Sequence, residues 1–162
     1  MANDPSPELE LTPLDGKPRT VRMWLTTFHL SMVVVDPYTN ESSWVLPTAC
    51  RVLQNFEETD CRVAFVVTAE ADDAKRFLGP WAKEILTFVD PDRKVVAGFG
   101  LERLPAILHV DMGGQLVSSA EGWDPDAWQN VTDGLAAVTS WTGPVLPGTK
   151  DPGPFAGSPA AG

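Results

Sequence analysis

Two apolar runs constrain this chain more than anything else in it. Met32-Val33-Val34-Val35 closes a strand-like segment over residues 29–36, and residues 61–68 read CRVAFVVT. Neither run alternates apolar with polar residues, so neither suits a sheet with one wet face. Both suit strands covered on both sides. Between them, residues 43–56 place Leu46, Ala49, Cys50, Leu53 and Phe56 along one side of a helix. The rest of the chain keeps alternating in this way. Residues 72–78 form a short helix that Gly79-Pro80 stops, residues 84–89 a strand, and Asp90-Pro91-Asp92 caps a helical turn running toward Phe99. Residues 108–112 and 115–118 are strands joined across Gly113-Gly114. Asp124-Pro125-Asp126 then opens a last helix, expected to reach about Ser140, with an N-cap, a proline at the first position and a first-turn carboxylate. Ahead of all this, residues 9–14 and 18–21 flank the hairpin signal Asp15-Gly16. The expected class is α/β, a three-layer fold with a central mixed sheet and flanking helices.

Composition trims the functional possibilities. A chain of 162 residues supports one domain with a real core. That domain is expected over residues 9–142, after a flexible N-terminus at 1–8. The last stretch, GPVLPGTKDPGPFAGSPAAG at 143–162, is so rich in Gly, Pro and Ala that a disordered tail is expected, one whose deletion leaves the melting temperature nearly unchanged. With 12 basic against 22 acidic residues the net charge is −10, and no basic stripe faces a phosphate backbone, so no nucleic acid is expected as a partner. The longest apolar stretch is far short of the roughly 20 residues that span a bilayer, so no membrane insertion is expected. The acidic N-terminus lacks a signal-type pattern, which points to a cytoplasmic protein. Cys50 and Cys61 give no metal-ligand spacing, even with His29 and His109 added, and neither metal nor cofactor is expected.

The order strand, loop, proline-bearing helix, strand, helix, then Leu104-Pro105 before a hairpin resembles the thioredoxin superfamily. Asp90-Pro91-Asp92, Gly100-Leu101, Leu104-Pro105 and Val110-Asp111 before Gly113-Gly114 look like its TlpA and peroxiredoxin-like branch, and Leu14-Asp15-Gly16 has a counterpart there too. The resemblance covers roughly residues 9–142 and rests on order and spacing rather than on any one motif. It implies a Cys-x-x-Cys in the loop DPYTNESSWVLP, with the second cysteine five residues before Pro47. This chain has Ser42 there and Thr39 at the first position, so the motif has become Thr39-Asn40-Glu41-Ser42. Thiol exchange needs a thiolate, and a hydroxyl stays protonated. The resemblance also implies a buried acid in the central strand, where this sequence has Val33, and a cis bond before Pro105.

Cys50, on the helix's apolar side, and Cys61, opening a buried strand, read as small core hydrophobes. Pro37 and Thr39 suit a peroxidase loop, but Ser42 holds the nucleophile's place, and Thr48-Ala49-Cys50 lies too far into the helix to replace it. His29 and His109 fall at the sheet end away from the loop and read as structural. Tyr38 and Trp44 flank the loop, as packing residues or as an aromatic lip. The reading is therefore a redox-inactive thioredoxin-like protein with no catalytic residue. It binds a protein or peptide in the groove between Tyr38, Thr39, Asn40, Glu41, Ser42 and Leu104, Pro105, Ala106. The alternative is a thiol-disulfide oxidoreductase or peroxidase working through Cys50 or Cys61.

Overall fold

The computed structural model describes residues 2–25 and 28–162. The two apolar runs become β3 (His29–Val35) and β4 (Cys61–Val67), parallel neighbours in register from His29 opposite Cys61 to Val35 opposite Val67. The helix α2 (Asn40–Asn55) connects them. It starts earlier than its apolar periodicity suggests, because Asn40 to Ser43 form a polar first turn. A hairpin of β1 (Glu10–Pro13) and β2 (Arg19–Thr20) precedes β3 and leads into a short α1 (Val21–Trp24). After β4 come α3 (Ala71–Leu78), α4 (Trp81–Glu84), β5 (Leu86–Val89) and α5 (Lys94–Gly98). Gly79, at φ 58°, ends α3 in a left-handed turn that suits a residue without Cβ, and α4 then takes Glu84, expected to begin β5. β6 (Arg103–Leu104), β7 (Ala106–Val110), β8 (Leu116–Glu121), α6 (Pro125–Thr139) and β9 (Ser158–Pro159) complete the chain.

The main sheet runs β2-β1-β5-β4-β3-β7-β8, with β6 and β9 paired separately. β3, β4 and β5 are parallel to one another, and β1 and β7 run against them, so the sheet is mixed. Alternate residues of the central strands feed two cores. Val33, Val35, Phe65 and Val67 pack with α2, α3 and α6, while Met32, Val34, Ala64 and Val66 pack with α1, α5 and Phe99. This three-layer arrangement is why both runs lack polar alternation. The last helix is capped as its sequence suggests: Asp124 accepts bonds from the Asp126 and Ala127 amides, and Ser140 closes the far end.

Both termini depart from expectation. Near the N-terminus Pro5 is buried, the Asn3 amide donates to the Phe99 carbonyl, and Asp4 accepts from the Leu116 amide. The segment 143–162, expected to be disordered, is laid against the domain instead. Leu146 joins the core beneath α2 and α6. Asp151 accepts from Thr48 Oγ1 at 2.6 Å and pairs with Arg51 at 2.5 Å. Gln129 brackets the chain by donating to the Pro144 carbonyl and accepting from the Leu146 amide. Trp123 Nε1 donates to the Pro152 carbonyl, and Trp123 and Phe155 exchange backbone bonds. A few anchors suffice because prolines leave the unfolded tail less conformational freedom to lose. Composition had flagged the absence of a periodic apolar face, but this tail does not need one.

Candidate functional site

The loop between β3 and α2 is organised by a residue outside the expected motif. Asp36 directly follows β3, is buried, and has a partner for each of its polar groups. Its amide donates to Ser42 Oγ at 2.9 Å, and its carbonyl accepts from the Thr39 amide and hydroxyl. One carboxylate oxygen takes the Tyr38 amide at 3.0 Å; the other takes Arg93 at 2.8 Å. Arg93 stands at φ 57°, just ahead of α5, and its other guanidinium nitrogen donates to the Ala160 carbonyl at 2.6 Å. A buried carboxylate held by an arginine and an amide is stable only because both partners are present. Asp90, the first residue of the Asp-Pro-Asp turn, caps α5 by accepting from the Val95 and Val96 amides, and burial raises its carboxyl above the usual range.

Ser42, where the resemblance implies a second cysteine, is fully buried, and its hydroxyl accepts from the Asp36 amide. Thr39 is the N-cap of α2 by position, yet its side chain bonds back to Asp36 rather than capping the helix. Asn40 is exposed and Glu41 half-buried in the first turn. Tyr38 is 65% exposed and donates its hydroxyl to Asp73, while Trp44 is 54% exposed and meets Phe155 edge-to-face at 5.5 Å. Val33, where a proton-handling acid is implied, sits between Phe65 and Ile107 in an apolar register.

The other half of the predicted groove lies at the same end of the sheet. Ala106 pairs with Val34, two residues before Asp36, and the Leu104-Pro105 peptide bond is cis. Leu104, Pro105 and Ala106 are nevertheless buried rather than lining an open edge. The chain's own tail covers them. β9 pairs antiparallel with β6, Arg103 opposite Pro159 and Leu104 opposite Ser158, and Ser158 Oγ donates to the Leu104 carbonyl at 3.3 Å. Glu121 steadies β6 from behind by accepting the Glu102 and Arg103 amides. Sequence reasoning missed Asp36, Arg93 and the 155–160 segment. Only Asp36 carried a signal, an acid directly after four apolar residues.

The thiols are elsewhere and unreactive in character. Cys50 and Cys61 are free and buried, and desolvation pushes both thiols up to about 12. A thiol reagent at pH 8 is therefore expected to label the native protein roughly a thousandfold more slowly than the denatured chain, since only the thiolate reacts. Fast native labelling of Cys50 would revive an enzymatic reading. At the far end of the sheet His29 Nδ1 and His109 Nε2 lie 2.9 Å apart, and Ser31 and Ser118 stand opposite His109 on the two neighbouring strands. Among the described residues no group of three His, Cys, Asp or Glu side chains is arranged to hold a metal, and no helix is long and apolar enough to cross a membrane.

This architecture is shared with solved proteins of known fold. MTB DsbF, in its mixed oxidized and reduced forms, matches with a TM-score of 0.66 at 18% identity, over 82% of this chain and 96% of that one. Peroxiredoxin Q of Xanthomonas campestris matches at 0.66 and 13% identity, over 86% and 96%. The pneumococcal exposed lipoprotein thioredoxin Etrx1, from Streptococcus pneumoniae strain TIGR4, matches at 0.60 and 22% identity, over 75% and 95%. No family model matches the chain, and no curated protein matches its sequence. The fold is thioredoxin-like, of the kind found in DsbE-type oxidoreductases and peroxiredoxins. In this chain the loop after β3 carries hydroxyls at Thr39 and Ser42, and a buried Asp36–Arg93 pair holds the turn.

Proposed function

We propose that this protein is a binding module without thiol chemistry, which takes an extended protein or peptide segment at the edge beside the degenerate loop. The observation that carries the reading is the β6–β9 pairing. The edge next to Pro105 accepts an extended segment in antiparallel register, here one from the same chain. Adding a strand to an exposed edge is a general mode of peptide recognition, in which main-chain bonds give affinity and side-chain positions give selectivity. The loss of chemistry is supported from three sides. Ser42 is buried and already bonded, Val33 leaves the central strand without an acid, and both cysteines sit in cores with raised thiols.

The test is turnover of insulin disulfides and of peroxide by the purified protein. No rate above background is expected, and Thr39→Cys with Ser42→Cys together should restore at most a weak reductase. Robust turnover by the natural chain, abolished in Cys50→Ser or Cys61→Ser, would overturn the reading and identify the nucleophile.

A further inference from the structure

We propose that residues 155–160 are a resident strand that closes the β6 edge from within the chain, so that a partner binds there only by displacing them. The inference rests on the strand-accepting edge described above and concerns its regulation. The tail has two parts of different character. From Leu146 to Asp151 it is anchored in the core and by the Thr48 and Arg51 contacts. From Gly153 onward it is mostly at the surface, with Gly153, Pro154, Ala156 and Pro159 exposed and only Ser158 and Ala160 buried.

That second part is held by main-chain contacts that another extended segment could also make, and by one side-chain bond. The Ala160 amide donates to the Glu102 carbonyl, Ser158 reaches the Leu104 carbonyl, and Arg93 takes the Ala160 carbonyl. Pro159 brings no N–H to the ladder. Selectivity comes from Phe155, Gly157 and Ser158. Phe155 lies against exposed Trp44, so the segment begins with an aromatic residue. Gly157 sits at φ 86°, where a Cβ would lie 2.5 Å from the Leu104 carbonyl oxygen, so glycine is demanded two residues later. The expected partner is thus an extended segment with an aromatic residue followed at the second position by glycine and then by a small polar residue. A tethered strand acts at an effective concentration of about millimolar, so a free copy competes poorly.

The substitution that tests this is Gly157→Val in the full chain, which expels the tail without removing it. The probe is a fluorescent peptide of the sequence of residues 152–162. It is expected to bind Gly157→Val at least about tenfold more tightly than the natural chain, where competition should need roughly millimolar peptide. The same peptide carrying valine for its glycine should bind neither. Equal affinity for both proteins, or no binding to either, would overturn the proposal. Amide exchange on the natural chain supplies a reading independent of how the variant folds. Displaceable residues exchange by local opening, so the Ala160 amide should exchange much faster than the amides of β3. Exchange at the rate of global unfolding would make the tail a permanent element and sink the idea. Insulin turnover does not enter either measurement, so a failure here is separate from a failure of the redox-inactive reading.

Discussion

Removing residues 143–162 is expected to lower the melting temperature by about 10 °C. Burial of Leu146 is worth about 2 kcal/mol and each of the tail's better polar contacts about 1 kcal/mol, against an ordering cost that the prolines reduce, for a net of roughly 3 kcal/mol. In a domain of this size each kcal/mol moves the midpoint by roughly 2–4 °C. The effect should divide unevenly. Leu146→Ala and Asp151→Ala should account for most of it, because Leu146 sits in the core and loss of Asp151 strands Thr48 and Arg51 together. Truncation after residue 152 should cost much less, in keeping with a displaceable final strand. Calorimetry or circular dichroism on the four variants decides this, and an unchanged midpoint for the full deletion would return the tail to the disordered state its composition suggests.

Acidification should destabilise the domain through one histidine. His109 is fully buried, and burial together with neighbouring His29 pulls its pKa down to about 4 from the usual 6.5, against a smaller opposing effect of Asp111. The folded protein therefore holds it neutral in a range where the unfolded chain takes up a proton. Its contribution is complete above about pH 6.5 and is lost progressively as pH falls toward 4, by about 3 kcal/mol in all. Asp90, with its carboxyl raised by burial, contributes in the opposite sense at the lower end of this range. The comparison is therefore made with His109→Gln. Between pH 7 and pH 4 the natural chain should lose about 3 kcal/mol more in urea unfolding than the variant does. Parallel pH profiles would show that burial does not hold His109 neutral in the folded protein.

The two histidines show where sequence reasoning reached its limit. Their position at the sheet end remote from the loop followed from the antiparallel pairing expected of β7, and Ser31 does stand opposite His109. That they meet at 2.9 Å, across 80 residues of sequence, depends on register and rotamer together. The strand and helix order was legible because each element repeats a local period that the chain itself displays. Element ends were less so: α2 starts in a polar turn, and α4 takes Glu84, expected as the first residue of a strand.

The sequence by itself determined the both-face-buried central strands, the order of helices around them, the caps at Asp90 and Asp124, and the absence of sulfur at Thr39 and Ser42. Those properties are local, set by side-chain periodicity, by turn chemistry and by what a hydroxyl is unable to do. Only the tertiary structure decided that Asp36 would be paired with Arg93, 57 residues away, and that Ser158 would reach Leu104, 54 residues away. Neither pairing leaves a periodic trace. A tail without an apolar face looks unable to order by its own composition, and it is ordered here because the domain offers an unfilled strand edge and a few buried partners to receive it.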